Sequence, residues 1–351
     1  MSAISPQYSR SQVNRAGEVL RQSDSPDSAR LEATDVLSNW RASHNYPINT
    51  FQATLRTKLI TVGKQNIVAQ RLKRIPSIVE KLGRFPGMEL ARMEDIAGLR
   101  AIVSDLDGVQ RLNDYYHHAH FKHVLHYEHD YIREPKDTGY RGVHLVFQYR
   151  NSRSEQTREY DNLLVEVQLR TRMQHLWAAA VETMDIILKS KLKSGMGLDN
   201  WQKFFAATGS AFAHLEQQPP VPGYERLSAS ETYQLVTEMS HDLAVQETLS
   251  GYKLAIHNSQ IHDGSTYYLL SLDPVAGSVQ TRAYGRDSFQ LATSDYLKAE
   301  EAILAGSQQQ QAVLVATKSI RELRWAYPSF YLDAEEFLGA LARIERLATG
   351  I

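Results

Sequence analysis

The run LLVEVQLRT, residues 163–171, sets Glu166, Gln168 and Arg170 two residues apart. On a β-strand that spacing puts all three on one face, with Val165, Val167 and Leu169 on the other. A carboxylate in so apolar a run is costly if it is buried alone. Upstream, PKDTGY (135–140) is a loop punctuated by proline and glycine that presents Lys136 and Tyr140 beside Arg141. Cations, an aromatic face and an isolated carboxylate together suit a site for a nucleotide and a metal ion. Further upstream, Asp95 stands just ahead of the apolar run Leu99–Val103, where by itself it reads equally well as a cap or a surface charge. Arg71, Lys73, Arg74 and Lys81, with Arg84 just beyond, form a basic set, and a basic helix face taken alone is usually a solvated one. His117, His118, His120, His123, His126 and His129 crowd one stretch, but strand alternation sends them to different faces and no acidic or thiolate set completes a zinc site.

The elements that must position these residues are legible as periodicities. Gly142–Tyr149 and Leu163–Leu169 are short, β-branched or aromatic-rich runs bounded by polar turns, and read as strands. Leu99–Val103 and Phe121–Tyr131 read as two more, with a helix over Asp107–His118 between them. Residues 1–62 read as helical: Ser11–Arg21, Ser28–Ala42, and a third helix starting near Asn49–Thr50. A fourth helix is expected over Gln65–Leu82, with Ile67, Leu72, Ile75, Val79 and Leu82 on its apolar face. Arg172–Lys193 and Trp201–Gln217 are amphipathic helices. The segment QQPPVPGYER then breaks the chain and is the best candidate linker. Beyond it come one helix over Ser228–Ser250, strands near 252–256, 266–272, 278–284 and 311–316, and helices over 291–305, 320–325 and 333–347. The expected division is therefore a helical region 1–62, a central α/β domain 63–216, a linker 217–227, and an α+β unit 228–351. The last contains no phosphate loop and no nucleophile constellation, so binding, dimerisation or regulation is its expected role.

The chain has 351 residues, enough for two domains or one with a large appendage. A net charge of −1 advertises no polyanion partner, so any such binding must come from local clustering. Absence of cysteine excludes disulfides, thiol catalysis and thiolate metal sites. The N-terminal residues lack the apolar core of a signal peptide, and no run approaches a membrane span, so a cytoplasmic protein is expected.

Taken together, RLKRIPSIVEKLGR, EDIAGLRAIV, EPKDTGYRGVH, VEVQLRT and the following QHLW resemble the synthetase domain of the RelA/SpoT family, which makes the alarmone (p)ppGpp. The likeness is to its short, synthetase-only members and covers roughly residues 60–190. It implies an α/β (α+β) fold with a nucleotidyltransferase-like mixed sheet flanked by helices. It also implies Mg²⁺-dependent transfer of pyrophosphate from ATP to the ribose 3′-hydroxyl of GDP or GTP. By motif position, Asp95 and Glu166 would hold the metal, and Glu166 would draw the proton from the attacking hydroxyl. Arg71 and Arg100 would sandwich adenine, and Lys73, Lys81 and Arg84 would grip the ATP phosphates. On the acceptor side, Tyr140 would stack on the second base, with Lys136, His144, Gln168 and Arg170 around it. His175 stands where an Asn or Asp commonly reads the guanine edge, VETMD (181–185) replaces a Glu-His pair, and Gly142 replaces a serine.

These departures keep three readings open. The first is an alarmone synthetase using a guanine, or else an adenine, acceptor. The second is a toxic relative that pyrophosphorylates the 3′ end of tRNA or makes an adenine alarmone, restrained by its own C-terminal unit. The third is a non-catalytic nucleotide sensor. Relatives often form homo-oligomers, and the C-terminal unit could serve that end.

Overall fold

The computed structural model describes residues 4–22, 24–63, 66–118, 121–151, 155–190, 198–250, 255–259, 265–305, 310–317, 319–331 and 334–350. Helices α1 (Arg10–Arg21), α2 (Asp27–Ser43) and α3 (Asn45–Val62) lead into β1 (Ile67–Leu72), α4 (Ile75–Arg84), β2 (Ala97–Val103) and α5 (Leu106–His118). Then follow β3 (Val124–Asp130), β4 (Val143–Gln148), β5 (Leu164–Thr171), α6 (Arg172–Ser190) and α7 (Leu198–Leu215). After the proline-rich segment come α8 (Ala229–Asp242), α9 (Val245–Ser250), β6 (Ala255–Ser259), β7 (Ser265–Asp273) and β8 (Ser278–Gly285). The chain closes with α10 (Phe289–Ala305), β9 (Gln311–Ala316), α11 (Ile320–Ala326) and α12 (Glu335–Thr349). Among the described residues no helix is long and apolar enough to cross a membrane.

The described strands make one mixed sheet in the order β3-β4-β5-β2-β1-β9-β7-β8-β6. β2 runs parallel to β5, and its other neighbour β1 is antiparallel. The mixed sheet flanked by helices is the expected fold class. Period-2 alternation gives its first half two unlike faces. Leu99 of β2, Val167 of β5 and Leu145 of β4 lie in register and join Leu37, Phe51 and Leu55 of the N-terminal helices in one core. The opposite face carries Arg71, Gly98, Glu166 and Val146 in one row, and Arg100, Gln168 and His144 in the next.

One expected element is replaced. The helix over Gln65–Leu82 is instead strand β1 followed by helix α4. Pro76 is the reason: inside a helix it would remove a hydrogen bond and clash with the preceding turn, whereas it is well suited to the first turn it occupies in α4. With the helix shortened, Val68, Gln70 and Leu72 alternate with Ile67, Ala69 and Arg71, as a strand requires. The helix expected over Ser228–Ser250 is likewise two, broken at Ala244, whose φ of 46° is left-handed. Residues 65, 191–193, 252–254 and 333 of the expected elements, and His120 of the histidine cluster, lie outside the described residues.

The sheet runs on across the expected boundary between the two units. Arg71 of β1 pairs with Val315 of β9, so the C-terminal strands extend the sheet that the first half begins. Tyr268, Val313, Val315 and Phe330 share a core with Ile67 and Ile102. Phe337 and Leu341 of α12 pack with Phe204, Phe205 and Phe212 of α7.

The loop carrying Tyr140 is set by a close approach of two glycines. Gly139 has φ of +95°, and a Cβ there would lie 2.9 Å from the Phe205 carbonyl oxygen. A Cβ on Gly209 of α7 would lie 2.8 Å from the Gly139 Cα. Backbone meets backbone, so neither side can give. Gly209→Ala is therefore expected to lower the unfolding free energy by about 1–3 kcal/mol, the range for overpacking a tight contact. Urea titration measures this, and an unchanged midpoint would show that the loop rides up at no cost.

Candidate functional site

The polar face of the sheet gathers most of the residues singled out above. Glu166 is buried at 9% exposure, so its charge needs partners. Its Oε1 lies 2.7 Å from His144 Nδ1, and its Oε2 accepts from Gln168 Nε2 at 2.8 Å. Gln168 Oε1 accepts from Arg170 Nη2 at 2.9 Å, and the same nitrogen donates to the Tyr140 hydroxyl at 2.6 Å. Tyr140 in turn hydrogen-bonds His144 Nε2, which closes a ring of five side chains. The ring is self-consistent when Tyr140 donates to Nε2 and Nδ1–H donates to Glu166. Arg170 also lies over the Tyr140 ring, 4.9 Å from its centroid, and its Nε and Nη1 are buried without a hydrogen-bond partner. Lys136 stands at the mouth, its Nζ 4.2 Å from the Tyr131 ring centroid and 5.3 Å from that of Tyr140. At Gly142 a Cβ would lie 3.2 Å from Arg170 Cγ, so a side chain there would crowd the ring of contacts.

A second cluster forms where β1 passes into α4. Asp95 accepts from Lys73 Nζ and Lys81 Nζ, each at 2.9 Å. Lys73 is fixed by its backbone as well, donating to the Ile96 carbonyl at 2.8 Å and accepting from Arg41 Nε at 2.6 Å. Asp95, Lys73, Arg71, Arg100, Glu166 and Gln168 line a common cavity, and Tyr327 of the C-terminal unit lines it with them. Arg84 sits one helical turn beyond Lys81, exposed, with its guanidinium 5.8 Å from the Phe85 ring centroid.

The two carboxylates stay ionised for a stated reason. Burial works to raise Asp95, but Lys73 and Lys81 outweigh it and hold the group below its ordinary value. Burial also opposes ionisation of Glu166, and the His144 contact overcomes it, with Asp95 acting against. Each carboxylate retains lone pairs beyond those its partners use. Two such groups on one cavity suit Mg²⁺, a hard cation usually held through one or two carboxylates, waters and substrate phosphates. Among the described residues no group of three or more His, Cys, Asp or Glu side chains is placed to hold a metal ion.

His175 is placed differently from the acceptor set. It is fully buried on α6, its Nε2 is 2.9 Å from the Trp325 carbonyl oxygen, and its ring lies against the Trp325 indole. The same C-terminal segment lies across Arg100. Arg100 Nη1 donates to the Ala326 carbonyl at 3.3 Å, and its guanidinium is 5.8 Å from the Tyr327 ring centroid. Burial pulls Arg100 down to about 10, Arg170 adding to the effect and Glu182 opposing it, so it remains charged near neutrality. Glu182, within VETMD, faces Arg100 at 3.9 Å and accepts from the Ser329 hydroxyl at 3.0 Å.

Tyr131, Glu182 and Tyr327 were not among the residues expected at the site. Tyr131 had a signal, standing two residues beyond His129 at the head of the loop that carries Lys136. Glu182 and Tyr327 had none, because their approach to Arg100 depends on how α6 and the C-terminal unit pack.

Three histidines make the fold sensitive to acid. Burial lowers His44 and His123 to about 4 and His175 to about 3, whereas each has a value of 6.5 when exposed. Below that value the unfolded chain takes up protons that the folded one refuses, so stability falls as the pH falls. The fully buried pair His44 and His175 contributes a slope approaching about 2.7 kcal/mol per pH unit in the window between 6.5 and about 4, and the less buried His123 adds to it. Urea unfolding across this window should show a slope smaller by about 1.4 kcal/mol per pH unit in His175→Gln. A slope unaffected by the substitution would mean that His175 is already charged in the fold.

Comparison with known proteins places this geometry. Residues 70–191 match the model of the region found in RelA / SpoT proteins. GTP pyrophosphokinase YjbM of Bacillus subtilis (strain 168) is 33% identical over 120 residues, which is 34% of this chain and 55% of the relative. The alignment thus spans about half the length of that curated relative. Among solved structures, small alarmone synthetase 1 from Bacillus subtilis is 26% identical, covering 50% of this chain and 88% of its own, with a TM-score of 0.40. The same protein bound to its product pppGpp is 26% identical, covering 49% and 89%, with a TM-score of 0.38. Every candidate residue from Arg71 to His175 falls inside the matched segment, residues 70–191, which is similar to the region found in RelA / SpoT proteins.

Proposed function

We propose that this chain transfers the β,γ-pyrophosphoryl group of ATP to the ribose 3′-hydroxyl of GDP or GTP, making a (p)ppGpp-type alarmone. The observation that carries the reading is the meeting of two ionised carboxylates, Asp95 and Glu166, on one cavity between a cationic side and an aromatic side. Arg71, Arg100, Lys73, Lys81 and Arg84 serve the ATP side. Tyr140, Lys136, His144, Gln168 and Arg170 serve the acceptor side, where the unpartnered Arg170 nitrogens suit phosphate oxygens. The acceptor oxygen attacks the β-phosphorus, the bond between the α,β-bridging oxygen and that phosphorus breaks, and AMP leaves. Glu166 is positioned to take the hydroxyl proton, and its bond to His144 keeps it ionised to do so. Mg²⁺ held by Asp95 and Glu166 would neutralise charge on the polyphosphate.

A specific observation favours a second reading, in which the acceptor is the 3′ end of tRNA or an adenine nucleotide and the C-terminal unit restrains the enzyme. His175, at the position where relatives commonly read guanine, is turned into the core against Trp325. Ala326, Tyr327 and Ser329 meanwhile engage Arg100 and Glu182 on the ATP side. On this reading Tyr327 competes with adenine for Arg100.

One set of incubations separates the readings. Purified protein, Mg²⁺ and γ-labelled ATP are offered GDP, GTP, ADP, ATP or bulk tRNA. Label in the guanine nucleotides, reduced at least roughly 10³-fold in Glu166→Gln, supports the first reading. Label in tRNA or an adenine nucleotide supports the second. Absence of AMP release with every acceptor, in the wild type and in Tyr327→Ala alike, would leave a nucleotide sensor.

Restraint has its own test. Removing the Tyr327 ring should lower the KM for ATP by about tenfold with turnover at saturating ATP unaltered, the value of one aromatic–guanidinium contact in a desolvated site. Unaltered kinetics in Tyr327→Ala would dismiss the C-terminal segment as a restraint.

A further inference from the structure

Two charged side chains outside the cavity are buried more deeply than Asp95 or Glu166. Arg41 of α2 is 3% exposed and Glu300 of α10 is 2% exposed. Arg41 Nη1 and Glu300 Oε2 stand 3.6 Å apart, longer than a charge-assisted hydrogen bond. A buried pair of that kind recovers little of its desolvation cost, and apolar side chains of similar volume are often at least as stable. The remaining contacts of the two side chains show what they hold. Arg41 Nε donates to the Lys73 carbonyl at 2.6 Å, and its guanidinium rests over the Tyr296 ring, 4.6 Å from the centroid. Glu300 Oε1 accepts from the backbone N–H of Ile75 at 3.1 Å.

Ile75 opens α4, the helix that carries Lys81 and Arg84. The first N–H groups of a helix have no intrahelical acceptor, and a polar side chain at the N-cap commonly supplies one. Here the N-cap is Arg74, whose side chain makes no capping bond, and Pro76 has no N–H to satisfy. The acceptor comes instead from Glu300, 225 residues further along the chain. Its negative charge also meets the positive end of the α4 dipole. Arg74 is engaged as well, its Nη1 donating to Gln311 Oε1 of β9 at 2.7 Å. Lys73, Arg74 and Ile75 are therefore each tied to a side chain from a distant segment. From this turn, and from the helix it starts, Lys73 and Lys81 reach Asp95.

We infer that Arg41 and Glu300 are positioning residues for the donor site, fixing the Lys73–Ile75 turn so that Lys73 and Lys81 meet the polyphosphate together, an inference that rests on the ATP-side assignment made above. Groups that grip a transferring phosphoryl chain tolerate little misplacement, a shift of about 1 Å costing on the order of 100-fold in rate. Neither side chain touches substrate. Each acts through the backbone of the turn, Arg41 at the Lys73 carbonyl and Glu300 at the Ile75 N–H. The C-terminal unit then contributes to the donor site through α10, in addition to covering it at Tyr327.

The test is calorimetric binding of α,β-methylene ATP and of adenosine to the full chain. It is run in the wild type and in Tyr327→Ala, so that the Tyr327 ring does not mask the result. Glu300→Gln keeps an oxygen for the Ile75 N–H and removes the charge opposite Arg41. Arg41→Lys keeps the charge and removes the Nε–H that Lys73 accepts. Each should weaken triphosphate binding by about tenfold, the worth of one charge-assisted hydrogen bond. Adenosine affinity should change less than about twofold, because Arg71 and Arg100 are untouched. The double variant should bind the triphosphate within about twofold of the weaker single one, since both substitutions act on one turn. A merely structural role would lower the urea midpoint and leave the ratio of the two affinities as it was. If the buried variants do not fold, Gln311→Ala loosens the same turn from its half-buried side and should lower the same ratio. An unchanged ratio in the folded variants overturns the inference and leaves the ATP-side assignment in place. Triphosphate bound no better than adenosine, in the wild type and in Tyr327→Ala alike, overturns both. A ratio that falls as expected in a chain that transfers no pyrophosphoryl group upholds the positioning and removes the reaction assigned above.

Discussion

A carboxylate in the middle of a β-sheet is tolerable only if neighbouring strands bring partners to it, and the organisation around Glu166 follows from that constraint. The strand alternation that buries Val165, Val167 and Leu169 leaves Glu166 on the opposite face. His144 arrives from β4 and Gln168 from β5 itself, each satisfying one oxygen. Gln168, Arg170, Tyr140 and His144 then satisfy one another, so the network has no loose end at the carboxylate. A half-satisfied buried network would cost more than an apolar one, and closure is what makes this one sustainable. The same closure leaves Arg170 Nε and Nη1 buried without a hydrogen-bond partner.

The second carboxylate is managed by charge rather than by a ring. Asp95 has two lysines, and the backbone of Lys73 is pinned by Ile96 and Arg41, so the cationic pair is fixed relative to β2. Arg41 is itself held by Glu300 of α10 at 3.6 Å, which ties the lysine-bearing turn to the C-terminal unit. That unit also reaches the site at Arg100 through Ala326 and Tyr327. The appended strands and helices thus bear on both Lys73 and Arg100, and β9 continues the sheet to which β1 and β2 belong. A unit integrated in this way is well placed to alter the site by small shifts of packed elements.

The polar face also has an asymmetry. Its β1–β2 side is roofed by the C-terminal segment, whereas its β3 side is open, with rings and cations at the surface.

Much of this was legible in the sequence, for a physical reason. Strand alternation is local, so the shared face of Glu166, Gln168 and Arg170 followed from their spacing, and the turn chemistry of PKDTGY located Lys136 and Tyr140. The order of motifs identified the carboxylate and cation set as a family pattern. The β1–α4 segment reads as a single helix because its apolar residues satisfy a helical spacing nearly as well as a strand, and Pro76 in the first turn of α4 is the local feature that separates the two elements. Other features were decided only by tertiary structure. Nothing local says that β9 pairs with β1, that Tyr327 meets Arg100, or that His175 turns toward Trp325, because each depends on packing between segments more than a hundred residues apart in the chain. The placement of Tyr127 and His129 on β3 belongs to the same class. Alternation alone would have put His126, Glu128 and Asp130 on the polar face, and one extra residue in the pairing with β4 put Tyr127 and His129 there instead.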